Sequence, residues 1–184
     1  MNKNLFEMIF WDFDGVIKES ISVKTDAFQE LFKPYGKDLC DKIKMHHIEN
    51  SGISRFDKIP LYLKWSGIEP TKSIVENICS KFSKIVKNKV INSPWVPGVR
   101  VFLQKNKEKF IFIIVSATPK DELIDICKSI NIYNYFYEIY GSPTSKSNAI
   151  KKSIINYNIS PEKCLMIGDA RVDIDAAKEN IINF

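Results

Sequence analysis

Apolar residues along this chain follow two rhythms. One is a set of short, nearly continuous runs. Phe6 to Phe13 (FEMIFWDF) reads as a largely buried strand that ends abruptly at Asp14-Gly15. Phe110 to Val115 (FIFIIV) is too short for a typical helix and rich in β-branched residues, which predicts a central strand. Phe136 to Tyr140 (FYEIY) is aromatic-rich and stops at Gly141, and Cys164 to Ile167 (CLMI) stops at Gly168-Asp169. The other rhythm is helical. Val99 to Lys107 follows Pro97-Gly98, and Ser145 to Tyr157 and Val172 to Glu179 are patterned alike. In Asp121 to Ile130, the residues Leu123, Ile126, Cys127 and Ile130 share one face. There Thr118 is the expected cap and Pro119 the expected first helical residue. Alternation of this kind predicts an α/β fold, a Rossmann-like doubly wound parallel sheet with helices on both faces.

Between Gly15 and Trp95 the alternation fails, and only helical patterns appear. Ile21 to Phe32 ends at Pro34 and Gly36, a second segment runs from Leu39 to Met45, and Gly52 to Trp65 contains Pro60 as an expected bend. Ile74, Ile78, Phe82, Ile85 and Val86 then form a helical stripe after Pro70. Ser93-Pro94-Trp95-Val96-Pro97-Gly98 reads as a linker back. The expected organisation is a core of residues 1–17 and 95–184 with a helical insertion at 18–94.

Composition narrows the function classes. A chain of 184 residues fits one core with a modest insertion. The net charge of +5 comes from scattered lysines without a nucleic-acid-binding signature, so nucleic acid is not an expected partner. A mildly positive field does steer anionic substrates. Cys40, Cys79, Cys127 and Cys164 match neither a metal-ligand spacing nor a redox CxxC, so buried free thiols in a reducing cytoplasm are expected. No run is long enough to span a membrane, and no signal peptide is visible.

Candidate chemistry lies where the strands end. Asp12-Phe13-Asp14-Gly15-Val16 places two acids at i and i+2, which point the same way on an extended strand. The glycine permits a sharp exit. Acids at the carboxyl edge of a parallel sheet face the usual ligand crevice, although turns also carry exposed acids. Ser116-Ala117-Thr118 ends the second strand, and its hydroxyls and amides suit phosphate oxygens as well as a helix cap. Lys146 follows the third strand, either balancing acids or facing solvent. Asp169 ends the fourth strand, and Asp173 lies four residues on, where it also suits a helix dipole. A parallel sheet gathers these residues at one edge. Four carboxylates there repel one another and call for a hard divalent cation, Mg²⁺ by its preference for oxygen ligands.

DFDGV, a strand-ending Ser116, Lys146 and GDxxxD, in that order, resemble the haloacid dehalogenase-like hydrolase superfamily. The insertion resembles its helical cap, as in relatives of phosphoglycolate phosphatase and β-phosphoglucomutase, and the likeness covers nearly the whole chain. The resemblance implies Mg²⁺-dependent hydrolysis of a small phosphorylated metabolite. Asp12 would be the nucleophile, forming an aspartyl-phosphate, and Asp14 the general acid and base. Ser116 and the Ala117 amide would hold phosphoryl oxygens, and Lys146 would offset negative charge. Asp12, the Asp14 carbonyl and Asp169 would hold Mg²⁺, with Asp173 supporting them from behind. Dehalogenases of this fold lack the second aspartate, so Asp14 favours phosphoryl chemistry. Gly52-Ile53-Ser54-Arg55 resembles the cap loop that points into such sites, where Arg55 would bind a second anionic group.

Lys18 and Lys24 lie early in the insertion without a firm match to the cap lysine of phosphonate hydrolases. Glu19 and Lys24 are weaker candidates near the cap hinge, and His46 and His47 read as helix-surface residues. In relatives a further strand follows GDxxxD, where here Ile181-Ile182-Asn183-Phe184 stands. An exposed strand edge is therefore expected, with lower stability or association through it, so the protein would be a monomer or weak homo-oligomer. A phosphosugar mutase and a non-catalytic binding or regulatory protein are the competing functions.

Overall fold

The computed structural model describes residues 5–184. Four strands, β1 (Met8–Trp11), β2 (Ile111–Pro119), β3 (Glu138–Ser142) and β4 (Cys164–Ile167), form one sheet in the order β3-β2-β1-β4. Every pairing is parallel, with Met8 opposite both Ile111 and Cys164.

The apolar runs are continuous because both faces of the sheet are covered. Ile9, Trp11, Phe112 and Ile114 enter one core, and Met8, Phe10, Ile113 and Val115 enter the other. Successive strand residues point to opposite faces, so each strand supplies both. Helices α5 (Val99–Asn106) and α6 (Lys120–Ser129) cover the first face through Leu103, Leu123, Ile126 and Cys127. Helices α7 (Lys146–Tyr157) and α8 (Arg171–Glu179) cover the second through Ala149, Ile150, Ala176 and Ala177. The sheet is thus doubly wound.

Between β1 and α5 stand four helices: α1 (Ile21–Phe32), α2 (Lys37–Glu49), α3 (Arg55–Trp65) and α4 (Lys72–Asn92). Their apolar residues Phe28, Phe32, Ile43, Tyr62, Phe82 and Val86 extend the core on the first sheet face without a break. The Phe28 and Phe82 rings lie 4.3 Å apart. Ser54 caps α3 by accepting the Phe56 N–H, and Pro60 sits inside the helix without ending it. The two chain crossings between core and cap are bonded together, Glu19 N–H to Pro94 O at 2.9 Å and Val96 N–H to Ile17 O at 3.1 Å. Lys18 belongs to this hinge. Its ammonium donates to Ile91 O at 3.1 Å and lies over the Trp95 ring, which removes it from the candidates for chemistry.

Three expectations need correction. The second strand continues past its apolar run, so Thr118 is a strand residue and Pro119 is the cap position of α6, with no side-chain cap bond. The first strand ends at Trp11, which leaves Asp12 to Asp14 in the turn that follows. The outer edge of β4 is not bare. Met166 N–H donates to Asn183 O at 2.8 Å, and Asn183 N–H donates to Cys164 O at 3.1 Å, so backbone groups of β4 find partners in the segment after α8.

Candidate active site

The turn after β1 carries the two acids. Asp12 N–H continues the ladder to Ile167 O at 2.9 Å. Its side chain is fixed on both oxygens: Oδ1 accepts the Phe13 N–H at 2.7 Å, and Oδ2 meets Lys146 Nζ at 2.7 Å. Lys146 opens α7 behind a Ser145 cap and also donates to Asp173 Oδ1 at 2.5 Å. Asp173, fully buried in the first turn of α8, accepts the Ala170 N–H through Oδ2 at 3.1 Å. It therefore orients Lys146 and pins the Gly168–Ala170 turn.

Two glycines make this crowding possible. Gly15 has φ +80°, and a Cβ there would strike the Asp169 carboxylate; a Cβ on Gly168 would strike Asp173. Oxygens of Asp12, Asp169 and Asp173 lie within 4.8 Å of one another. Burial pushes the Asp12 carboxyl up to about 6; Lys146 opposes that shift, and Asp173 and Asp14 add to it. Asp169 is pushed up by burial and by Asp173. Burial also works against the charge on Lys146, but Asp12 and Asp173 hold its pKa above the usual value. Clustered, partly desolvated carboxylates, with those of Asp12 and Asp169 raised in pKa, are the donor set that a hard divalent cation satisfies. Asp12 and Asp169 line the cleft and fit as carboxylate ligands, whereas Asp173 is fully buried behind them and does not line it.

Asp14 behaves differently. Ser20 Oγ donates to its Oδ1 at 2.6 Å, and Oδ2 takes Lys24 Nζ and Thr118 Oγ1, the latter at 3.2 Å. Burial opposes ionisation, but the Lys24 charge and these three donors win, and the Asp14 pKa is lowered. Lys24 also donates to Thr118 Oγ1 at 2.7 Å. Ser116 is buried, and its Oγ accepts the Thr118 N–H at 3.2 Å. Asp12, Asp14, Ser116, Ala117 and Asp169 line one cleft, and Lys146 reaches it through Asp12.

Arg55 lines the same cleft but is not offered to it. Its guanidinium faces Glu122 of α6 with two bonds, at 2.7 and 2.9 Å, donates to Ser83 Oγ at 2.7 Å, and lies over the Phe82 ring. The expected anchor for a second substrate anion is instead a buried tie between cap and core. Weak and unexpected candidates do reach the site. Lys24, a weak hinge candidate, lines the cleft and flanks Asp14 together with the buried Ser20, and His47 lines the cleft from α2 with 3% exposure, not on the helix surface. The spacing of Ser20 and Lys24, one turn apart at the start of α1, was the available signal for that pair.

A doubly wound parallel sheet, a paired acid turn at its carboxyl edge and a helical cap closing over it define a capped hydrolase. The haloacid dehalogenase-like hydrolase family model matches residues 9–184. A phosphorylated carbohydrates phosphatase of Thermotoga maritima is 22% identical, the alignment covering 94% of this chain and 80% of the relative. A phosphoglycolate phosphatase of Nitrosococcus oceani is 24% identical over 94% of this chain and 79% of its own. Among solved structures, β-phosphoglucomutase from Clostridium difficile superposes with TM-score 0.78 at 21% identity, covering 96% of this chain and 82% of that one. The chain belongs to the haloacid dehalogenase-like hydrolase family.

Proposed function

We propose that this protein is a Mg²⁺-dependent phosphatase that hydrolyses a small-molecule phosphate monoester through an aspartyl-phosphate on Asp12. The carrying observation is the state of Asp12: a buried carboxylate whose two oxygens are aimed by the Phe13 N–H and by Lys146, two residues from a second carboxylate. The two relatives matched in sequence are named phosphatases, which supports the reaction class.

An Asp12 oxygen attacks phosphorus as the ester P–O bond breaks. Asp14 in its protonated form gives its proton to the departing alkoxide. Water then attacks the phosphoaspartyl phosphorus, its proton passes to Asp14, and the Asp12 carboxylate leaves. The Ser20, Lys24 and Thr118 donors favour the Asp14 carboxylate and so suit its role as base. Ser116 and the Ala117 N–H hold phosphoryl oxygens, and Lys146 keeps Asp12 compatible with an incoming anion. Asp12, the Asp14 carbonyl and Asp169 would hold Mg²⁺, which when bound supplies positive charge to the transferring phosphoryl group. Asp173 positions Lys146. The substrate is a small phosphorylated metabolite. No described helix is long and apolar enough to cross a membrane. All four cysteines are buried and free, which supports a reducing cytoplasmic setting.

The test is phosphate release from p-nitrophenyl phosphate and a panel of phosphorylated metabolites, with and without Mg²⁺. Asp12→Asn should abolish turnover while the circular dichroism spectrum is unchanged. Normal turnover by Asp12→Asn would remove the nucleophile assignment, and a wild type inert to the whole panel would remove the hydrolase reading.

A further inference from the structure

The sheet has two outer strands, and their edges differ. The outer side of β4 is paired with Asn183, whereas no strand lies beyond β3. Tyr137 N–H donates to Phe112 O, so by alternation Ile139 and Gly141 also face β2, and Glu138 and Tyr140 face outward. Each outward residue presents one N–H and one C=O. Among the described residues neither has a backbone partner outside the sheet.

This edge lies in an open groove. Lys120 and Ile124 of α6 line one side, Lys152 of α7 the other, and Tyr133 and Tyr137 one end. The two tyrosines are 42% and 57% exposed. Lys128 stands 5.2 Å over the Tyr133 ring and Lys152 5.7 Å over the Tyr140 ring. Three lysines thus surround one acid of the groove, Glu138, and the edge is electropositive. Lysines on an edge strand deter indiscriminate pairing. Here they stand on the flanking helices, and the strand itself, EIYGS, holds neither lysine nor proline, so its backbone stays reachable.

We propose that the outer edge of β3 is a docking site for an extended acidic segment of another protein, added to the sheet as a further strand. The segment pairs with the outward N–H and C=O groups of Glu138 and Tyr140. Its acidic side chains meet Lys120 and Lys152, and an apolar one rests on Ile124. A second copy of this chain fits less well, because its own Lys120, Lys128 and Lys152 would arrive at the same groove. Asp12, Asp14 and Lys146 do not line the groove, so docking there does not depend on the phosphatase reading.

Fluorescence anisotropy would follow a labelled, end-blocked peptide of alternating glutamate and valine binding to the full-length protein. A lysine-for-glutamate peptide and a backbone N-methylated peptide are the controls. The glutamate peptide should bind at least about tenfold tighter than either control, and Lys120→Glu/Lys152→Glu should weaken it at least about tenfold. Hydrogen exchange read by NMR should slow at the Glu138 and Tyr140 amides by at least about tenfold on binding, and barely change at Ile139 and Gly141, which already face β2. No binding of the glutamate peptide, equal binding of either control, or binding without protection of those two amides would overturn the docking site. So would a concentration-dependent dimer of the free protein that protects the same amides, because a second copy would then hold the edge.

Discussion

Removing the Arg55 side chain by Arg55→Met should cost this protein a large share of its stability. Arg55 and Glu122 are 3% and 7% exposed and meet through two hydrogen bonds, with a third from Arg55 to Ser83. Deleting one member of a buried pair leaves the other charged and unsolvated, at a cost of about 3–5 kcal/mol. Glu122 lies in the first turn of α6, where the helix dipole returns up to about 1 kcal/mol, so the low end, about 3 kcal/mol, applies. Against a total of about 5–15 kcal/mol, that is a severe loss. Glu122→Leu alone should cost a similar amount by stranding the guanidinium. The double variant Arg55→Met/Glu122→Leu strands nothing and should lie within about 1 kcal/mol of wild type. Urea unfolding followed by tryptophan fluorescence and circular dichroism completes the double-mutant cycle. A single-variant cost below about 1 kcal/mol, or a double variant as unstable as the summed singles, would refute the reasoning. Kinetics give a second check. Because Glu122 holds the guanidinium, Arg55→Met should not discriminate between substrates with and without a second anion. A KM rise confined to dianionic substrates would restore Arg55 as an anchor.

Other predictions follow from single groups. Burial pushes Lys58 from its ordinary 10.5 down to about 7, so between these values the unfolded chain binds the extra proton and stability rises with pH. At about 1.36 kcal/mol per unit, wild type should gain about 2 kcal/mol over Lys58→Met between about pH 7 and about pH 9 in urea unfolding, and a constant difference would contradict the buried ammonium. A Cβ on Gly52 would collide with Val172, so Gly52→Ala should push the cap loop from α8, lowering the melting temperature and kcat/KM together. Unchanged values of both would mean the loop does not seal there. Millimolar Mg²⁺ should raise the melting temperature, by an amount equivalent to about 2.7 kcal/mol at a hundredfold excess over Kd, and Asp169→Asn should remove the rise. No rise in the wild type would argue against the metal assignment.

The sheet was legible in the sequence because strands buried on both faces need uninterrupted apolar runs, and all four runs are present. The acids were legible because they interrupt that pattern at strand ends: Asp12 and Asp14 after FEMIFW, Asp169 after CLMI. The end of β2 was hidden. Ser116 to Pro119 continue the strand with polar residues that face the site, so apolar pattern alone stops at Val115. The cap's chemistry was hidden for a related reason. Helical periodicity marks which face is buried, not which charge meets which, and polar residues in α1 to α3 read as surface. Arg55 and Glu122 stand 67 residues apart, and only the closed fold shows that they meet. His47 and Lys58 look like solvated helix residues until α2 and α3 are packed together.

The cleft beside Asp12 is lined from two sides, by Asp12, Asp14, Ser116 and Asp169 of the sheet edge and by His47, Gly52 and Ile53 of the helical insertion. Under the proposed mechanism the insertion therefore sets which acceptor can approach a phosphoryl group on Asp12, so the choice between water and a sugar hydroxyl would be made by helices that carry neither of the paired acids.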